Sequence, residues 1–70
     1  MNLRKLKTMI IDRGIKRSAV ADAIGCSRFA VYKKLDGKTE FTASELVSLS
    51  DFLRLSREER DEIFFGDELN

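Results

Sequence analysis

The chain has 70 residues and a net charge of +1, which leaves room for one small domain. It contains no histidine and only one cysteine, so it lacks the commonest metal ligand and general base and can form no intrachain disulfide. No apolar run is long enough to span a bilayer, and the basic N-terminus does not resemble a signal peptide. We therefore expect no enzymatic activity, metal, cofactor or membrane segment, and a cytoplasmic location.

The net charge of +1 hides an uneven distribution along the chain. Residues 1–39 contain ten Lys and Arg against three acids, or +7, whereas residues 40–70 contain three Arg against nine acids, or −6. A basic half beside an acidic half favours one surface that binds a polyanion and another that is kept away from it. Ordinary surface charge that happens to segregate is the alternative.

Apolar residues recur at helical spacing and never alternate as in strands, which predicts an all-α fold with residues 1–70 as a single domain. Each of the four glycines follows such a helical stretch, as expected of residues that end helices. The predicted helices run from about Asn2 to Arg13, from Arg17 to Ile24, from Ser27 to about Asp36, from Thr42 to about Leu53, and from Ser56 through Phe65. The segments that begin at Thr42 and Ser56 each carry a Glu three residues later, which predicts two capping boxes.

The same spacing predicts which side chains form the core. In the first helix we expect Leu3, Leu6 and either Met9 or Ile10 to face inward, and in the fourth either Phe52 or Leu53. We expect one core that contains Val20, Ala21, Ile24, Val31, Leu35, Leu46, Leu49 and Phe52.

Residues 17–37 have the pattern of a DNA-binding helix-turn-helix: a helix of about eight residues, a short turn with glycine, and a second helix of about nine. Ala21 is small where the following helix crosses closely, and Gly25 permits the sharp reversal. Cys26 occupies an apolar position in this motif. It is therefore expected to be a buried structural thiol rather than a nucleophile.

The chain resembles the Cro and repressor type of helix-turn-helix domain, the XRE family, and in particular small regulators of phages and prophages of Gram-positive bacteria. The resemblance covers essentially the whole chain. It is carried by Val20-Ala21, Ile24-Gly25-Cys26-Ser27, Val31, Lys34-Leu35-Asp36-Gly37-Lys38, Phe41-Thr42, Glu45-Leu46, Leu49, Phe52-Leu53 and Leu55-Ser56.

The resemblance implies a compact five-helix, lambda-repressor-like domain that binds a double-stranded DNA operator with its third helix in the major groove. This chain departs from the family at Lys16 and Arg17, where Thr and Gln are usual, so the second helix lacks the usual cap. It also departs at Lys34, where many members have an apolar residue and where Leu35 is expected to supply the packing.

Helical geometry predicts which side of the third helix faces solvent. At about 100° per residue, Val31 and Leu35 lie within about 40° of each other and define the inner side. Phe29 and Lys33 then project nearly opposite, and Tyr32 and Arg28 flank them.

Arg and Lys donate hydrogen bonds to guanine, and apolar groups contact the thymine methyl, so these four residues are the predicted base contacts. The alternatives are that Phe29 folds under the turn as additional core and that Tyr32 is an ordinary half-exposed tyrosine.

The resemblance implies that residues at the ends of the motif bind the DNA backbone, and the predicted contacts are Arg17, Ser27, Lys34 and Lys38. Ser27 is also the expected cap of the third helix, and any one of the lysines is otherwise a solvated surface residue.

Ile63, Phe64 and Phe65 are three consecutive large apolar residues, of which one helix face buries at most two. They are the candidates for dimerisation, and we expect a homodimer on DNA and no small-molecule ligand. The alternative is the same fold acting as a protein-interaction module, such as an antitoxin or antirepressor.

Overall fold

A computed structural model of the chain describes residues 1–66, and these contain five α-helices and no β-strand. The helices are α1 (Leu3–Asp12), α2 (Arg17–Ile24), α3 (Arg28–Leu35), α4 (Ala43–Leu53) and α5 (Arg57–Phe64). The predicted compact five-helix, all-α fold is therefore confirmed, with boundaries that agree within one or two residues. No described helix is long and apolar enough to cross a bilayer.

Both predicted capping boxes form at the start of α4 and α5. The hydroxyl of Thr42 accepts a hydrogen bond from the backbone N–H of Glu45 at 3.1 Å, and the carboxylate of Glu45 accepts one from the backbone N–H of Thr42 at 2.8 Å. Ser56 and Glu59 repeat the arrangement at 3.0 and 2.9 Å. Each box satisfies two donors that the first turn of a helix would otherwise leave unpaired.

Helix α2 has no capping box at its start, and it ends at a glycine. Its N-cap residue, Lys16, has the extended backbone of a cap (φ −74°, ψ 144°) but makes no side-chain capping bond. At the other end Gly25 has φ 77°, a left-handed conformation that costs other residues about 1–2 kcal/mol. A Cβ atom at Gly25 would meet no atom within 4 Å, so the backbone angle and not lack of space requires glycine there.

The core lies where α2 packs against α3 and α4 while α1 contacts α3 and α5. Its buried residues are Leu6, Ile10, Val20, Ala21, Ile24, Val31, Leu35, Leu49, Leu53 and Ile63. Six of the eight residues predicted for this core are in that set. The exceptions are both on α4.

The prediction that Phe52 is buried is wrong, since its side chain is 39% exposed, and Leu46 is only partly buried. At about 100° per residue, Leu53 lies within about 40° of Leu49, whereas Phe52 lies about 120° from Leu46. The inward stripe of α4 therefore ends on Leu53, which is buried.

Polar contacts hold α1 against the end of the chain that carries α5. The backbone N–H of Asn2 donates to the carbonyl of Ile63 at 2.6 Å. The guanidinium of Arg13 donates to the carbonyl of Leu53, at the end of α4, and pairs with Glu59 at 3.4 Å. These contacts tie α1, α4 and α5 together, and none of them involves α3, whose residues Arg28, Phe29 and Tyr32 are exposed.

Candidate nucleic-acid interface

The third helix has one buried side and one exposed side, as predicted. Val31 and Leu35 are buried, whereas the side chain of Phe29 is 72% exposed and that of Tyr32 is 45% exposed. Phe29 therefore does not fold under the turn as additional core. Large apolar side chains exposed in this way on a small domain commonly mark a binding surface.

Positive charge lies among these exposed rings. The Nζ atom of Lys33 is 5.7 Å from the centroid of the Phe29 ring, and Arg28 is exposed at the start of α3. A cation within about 6 Å of a ring is attracted by the ring's quadrupole. The surface thus combines hydrogen-bond donors with an apolar contact group, the two properties used to distinguish base pairs in the major groove.

A second cation and ring connect the two helices of the motif. The Cζ atom of Arg17, the first residue of α2, lies 4.8 Å from the centroid of the Tyr32 ring on α3. The Nε atom of Arg17 is buried, and no described residue accepts a hydrogen bond from it. Arg17 is therefore a half-buried cation, held by a ring rather than by a carboxylate.

Ser27 and Lys38, two of the predicted phosphate contacts, lie at opposite ends of α3. The hydroxyl oxygen of Ser27 accepts a hydrogen bond from the backbone N–H of Ala30 at 3.1 Å, which leaves its own proton free to donate. The backbone N–H of Lys38 donates to the carbonyl of Lys33 at 2.9 Å, so the chain stays close to the end of the helix. Both side chains are exposed.

Lys34 is engaged inside the protein. Its ammonium donates to the carboxylate of Glu45 at 2.9 Å and to the carbonyl of Glu40 at 3.0 Å, and its side chain is only 12% exposed. A phosphate would have to displace one of these oxygens, so the structure gives Lys34 a bridging role between α3 and α4. The expectation that Leu35 supplies the packing at this turn agrees with its burial.

Cys26 lies at the turn between α2 and α3 and packs against the core as a partly buried, free thiol. Burial raises the pKa of the thiol above its ordinary value of 9.0, and the nearby carboxylate of Glu45 raises it further. A raised pKa keeps the thiol protonated and a poor nucleophile, as expected of a structural cysteine.

The motif therefore consists of two eight-residue helices, α2 and α3, joined by residues 25–27 and open on the outer face of α3. A protein-family model described as "Helix-turn-helix domain" matches residues 3–63. The chain belongs to this helix-turn-helix family. Membership indicates that it binds DNA, and the matched range includes all of α1 to α4 and most of α5. Searches of curated proteins and of solved structures found no significant match.

The helix-turn-helix domain contains two side-chain contacts that sequence reasoning missed. Arg17 and Tyr32 are far apart in sequence and share no helical face, so no periodic pattern connects them. Lys34 and Glu45 lie on different helices, and their opposite charge was the only signal that pointed to a pair.

The three dimerisation candidates have different environments. Ile63 is completely buried in the core of its own chain, so its assignment as a dimer contact is corrected. Its backbone carbonyl, bonded to Asn2, lies where α5 packs on α1. Phe64 is partly buried against the core, whereas Phe65 follows the last residue of α5 and is 84% exposed.

Phe64 and Phe65 help to line a groove between α4 and α5, which we call the α4–α5 groove. Its lining residues are Leu46, Val47, Ser50, Asp51, Arg57, Arg60, Asp61, Phe64 and Phe65. Val47 and Phe65 are exposed within it. Its two arginines and two aspartates form no ion pair with any residue that the structure describes.

Proposed function

We propose that this protein is a sequence-specific transcriptional regulator that binds a double-stranded operator with α3 in the major groove. The observation that carries the proposal is the outer face of α3, where Phe29 is exposed beside the ammonium of Lys33. An α-helix fits the major groove, and cations and apolar groups there recognise guanine and thymine respectively. We assign base contacts to Arg28, Phe29 and Lys33, whereas the ring of Tyr32 is already in contact with Arg17.

The contacts to the DNA backbone come from the ends of the motif. Arg17, Ser27 and Lys38 surround α3 with two positive charges and a hydroxyl donor. Such contacts set the position and register of a protein on the duplex but do not read the sequence. Lys34 is a weaker candidate for a phosphate contact because its ammonium already bridges Glu40 and Glu45.

The function is tested by comparing one base contact with one phosphate contact. An operator is first selected from a random pool of DNA, and then Lys33→Ala and Arg17→Ala are titrated with the operator and with scrambled DNA over a salt series. Lys33→Ala should lose about 1–3 kcal/mol on the operator and reduce the ratio of specific to non-specific affinity. Arg17→Ala should weaken both DNAs alike and lower the salt slope by about one unit.

Thr8→Ala, on the exposed surface of α1, is the matched control and should bind like the wild type. Identical behaviour of Lys33→Ala and Arg17→Ala would show that the two roles are wrongly assigned. If neither change affects binding, α3 does not enter the groove, and the protein-interaction module becomes the better explanation.

We further propose that the protein binds its operator as a two-fold homodimer through the α4–α5 groove. The exposed side chains of Phe65 and Val47 both line this groove, and exposed apolar patches on a small domain mark interaction sites. A two-fold interface brings the same patch together from both subunits, so the patch must be self-complementary. The rim of the groove meets this condition, since Asp51 and Asp61 balance Arg57 and Arg60.

The dimer is tested by sedimentation of Phe65→Ser, which should shift the protein towards monomer and weaken operator binding. Phe29→Ser removes another largely exposed ring, from a different surface, and should leave the oligomeric state unchanged. A wild type that stays monomeric with and without DNA, and a Phe65→Ser variant that behaves identically, would exclude this interface.

The resemblance to Cro and repressor proteins supports the narrower proposal of a small phage- or prophage-type regulator acting in the cytoplasm. Two such domains related by a two-fold axis would read half-sites about one helical turn, or about 34 Å, apart. Occupying a promoter in this way excludes or recruits polymerase, and no catalytic step is required.

A further inference from the structure

We propose that Tyr32 is a positioning residue, which holds the guanidinium of Arg17 against a DNA phosphate, and that it does not read a base. The proposal rests on the proposed function, because it assigns a role within the same DNA-binding surface. Tyr32 thus has a different role from Arg28, Phe29 and Lys33, although all four residues are on the outer side of α3.

The contact between Arg17 and Tyr32 carries the proposal. The guanidinium carbon lies 4.8 Å from the ring centroid, which is within the range of an attractive contact between a cation and a ring. The Nε atom of Arg17 is buried there, and no described residue accepts a hydrogen bond from it. The ring is therefore the group that fixes the position of this charge, and no described ion pair occupies the terminal Nη donors, which can serve a ligand.

A guanidinium that is held by a ring before binding should bind a phosphate more tightly than one that moves freely. An arginine side chain loses up to about 2 kcal/mol of conformational entropy when it is fixed. A side chain that is already held in place in the free protein loses less of this on binding, which strengthens the bound complex. A planar guanidinium is also well suited to an anionic phosphate, whose oxygens accept its paired donors.

The neighbouring pair on the same surface shows what distinguishes Tyr32. Lys33 lies farther from its ring, at 5.7 Å, and both residues of that pair belong to α3. Phe29 is also much more exposed than Tyr32. The Arg17–Tyr32 contact instead joins the start of α2 to the middle of α3, and one face of the Tyr32 ring is already covered by a charge.

The variants Tyr32→Phe, Tyr32→Leu, Arg17→Ala and the double variant Arg17→Ala/Tyr32→Leu separate positioning from base reading. Phe keeps the ring face, and Leu keeps apolar bulk without a ring. Phe29→Leu is the matched control on the same helix. Each is titrated with the selected operator and with scrambled DNA over a salt series, after thermal melting has shown that it is folded.

If Tyr32 positions Arg17, Tyr32→Phe binds like the wild type. Tyr32→Leu weakens operator and scrambled DNA by the same factor, about twofold to fivefold, and lowers the salt slope. In the Arg17→Ala background, Tyr32→Leu has no further effect, because the group that it positions is gone. Phe29→Leu instead lowers affinity for the operator more than for scrambled DNA.

Two results would overturn the proposal. The first is a Tyr32→Leu variant that loses only operator affinity and does so equally in the Arg17→Ala background, which would make Tyr32 a base contact. The second comes from NMR of the free protein, where the side-chain protons of Arg17 should show a ring-current shift in the wild type and in Tyr32→Phe but not in Tyr32→Leu. Absence of that shift would show that Arg17 does not contact the ring of Tyr32 in the free protein.

The NMR measurement also separates this proposal from the proposed function. A wild type that shows the ring-current shift but binds no DNA at low salt would refute the proposed function, and with it the phosphate role of Arg17. A wild type that binds DNA without the shift would refute only the role of Tyr32.

Discussion

The pair α2–α3 and the pair α4–α5 are built differently. Both helices of the second pair begin with a reciprocal capping box, whereas α2 begins at Lys16 with no side-chain cap. The outer face of α3 instead carries the exposed rings of Phe29 and Tyr32 with cations beside them. Helices α3, α4 and α5 thus each begin with a side-chain cap, and α2 is the helix of the motif that lacks this local stabilisation.

Lys34 connects the two pairs. Its ammonium donates to Glu45, which is also the acidic member of the capping box of α4. A single carboxylate therefore closes the start of α4 and holds α3 against it. This contact couples the position of the proposed recognition helix to the best-capped part of the fold.

The largest expected effect comes from exchanging a residue on the buried side of α3 for a charged one. Val31→Asp would place an unpaired charge in the core, which costs several kcal/mol, whereas small domains are typically stable by only about 5 kcal/mol. We expect the variant to be unfolded at room temperature by circular dichroism. Phe29→Ser, on the outer side of the same helix, should melt within a few degrees of the wild type; a folded Val31→Asp would refute the assignment of sides.

The difference in capping predicts opposite responses at α4 and α2. Thr42→Ala should cost about 1 kcal/mol, or about 4–8 °C in melting temperature, because α4 loses its cap. Lys16→Ser should raise the melting temperature, since Lys16 already has the extended backbone of an N-cap and lacks only the acceptor. Both are measured by thermal denaturation.

Two control variants show whether the capping hydroxyl causes these changes in melting temperature. Thr42→Ser keeps an acceptor and should stay close to the wild type, and Lys16→Ala removes the same charge as Lys16→Ser without adding a cap. A stabilisation of equal size in Lys16→Ala and Lys16→Ser would mean that charge, and not capping, limits α2.

The smallest expected effect is on the response to acid. The backbone N–H of Thr42 and the ammonium of Lys34 hold the pKa of Glu45 below its ordinary value of 4.5. A carboxylate with a lowered pKa contributes stability above its unfolded pKa and loses it as the pH falls through the folded pKa. The melting temperature of the wild type should therefore fall as the pH drops below about 4.5.

Glu45→Gln should show a smaller fall than the wild type because it cannot be protonated, although Gln still fits a capping box. Glu58→Gln makes the same change at an exposed position of α5 and should follow the wild type. The measurement is a series of thermal melts between about pH 7 and pH 3. Parallel curves for wild type and Glu45→Gln would show that this carboxylate does not couple α3 to α4.

The sequence by itself determined the five helices, the turn at Gly25 and the outer side of α3. These features depend on interactions within a few residues, namely helical spacing, caps and a left-handed glycine, which local sequence encodes directly. The capping boxes at Thr42 and Ser56 are predictable for the same reason, because both partners lie three residues apart.

Only the tertiary structure decided which apolar residues of α4 and α5 are buried and which charges are engaged. Apolar residues close together in sequence compete for one inward position, and the neighbouring helices select Leu53 over Phe52 and Ile63 over Phe65. The contacts of Arg17 with Tyr32 and of Lys34 with Glu45 likewise join different helices. Contacts between helices depend on how the helices are placed in space, and the spacing of residues along one helix does not contain that information.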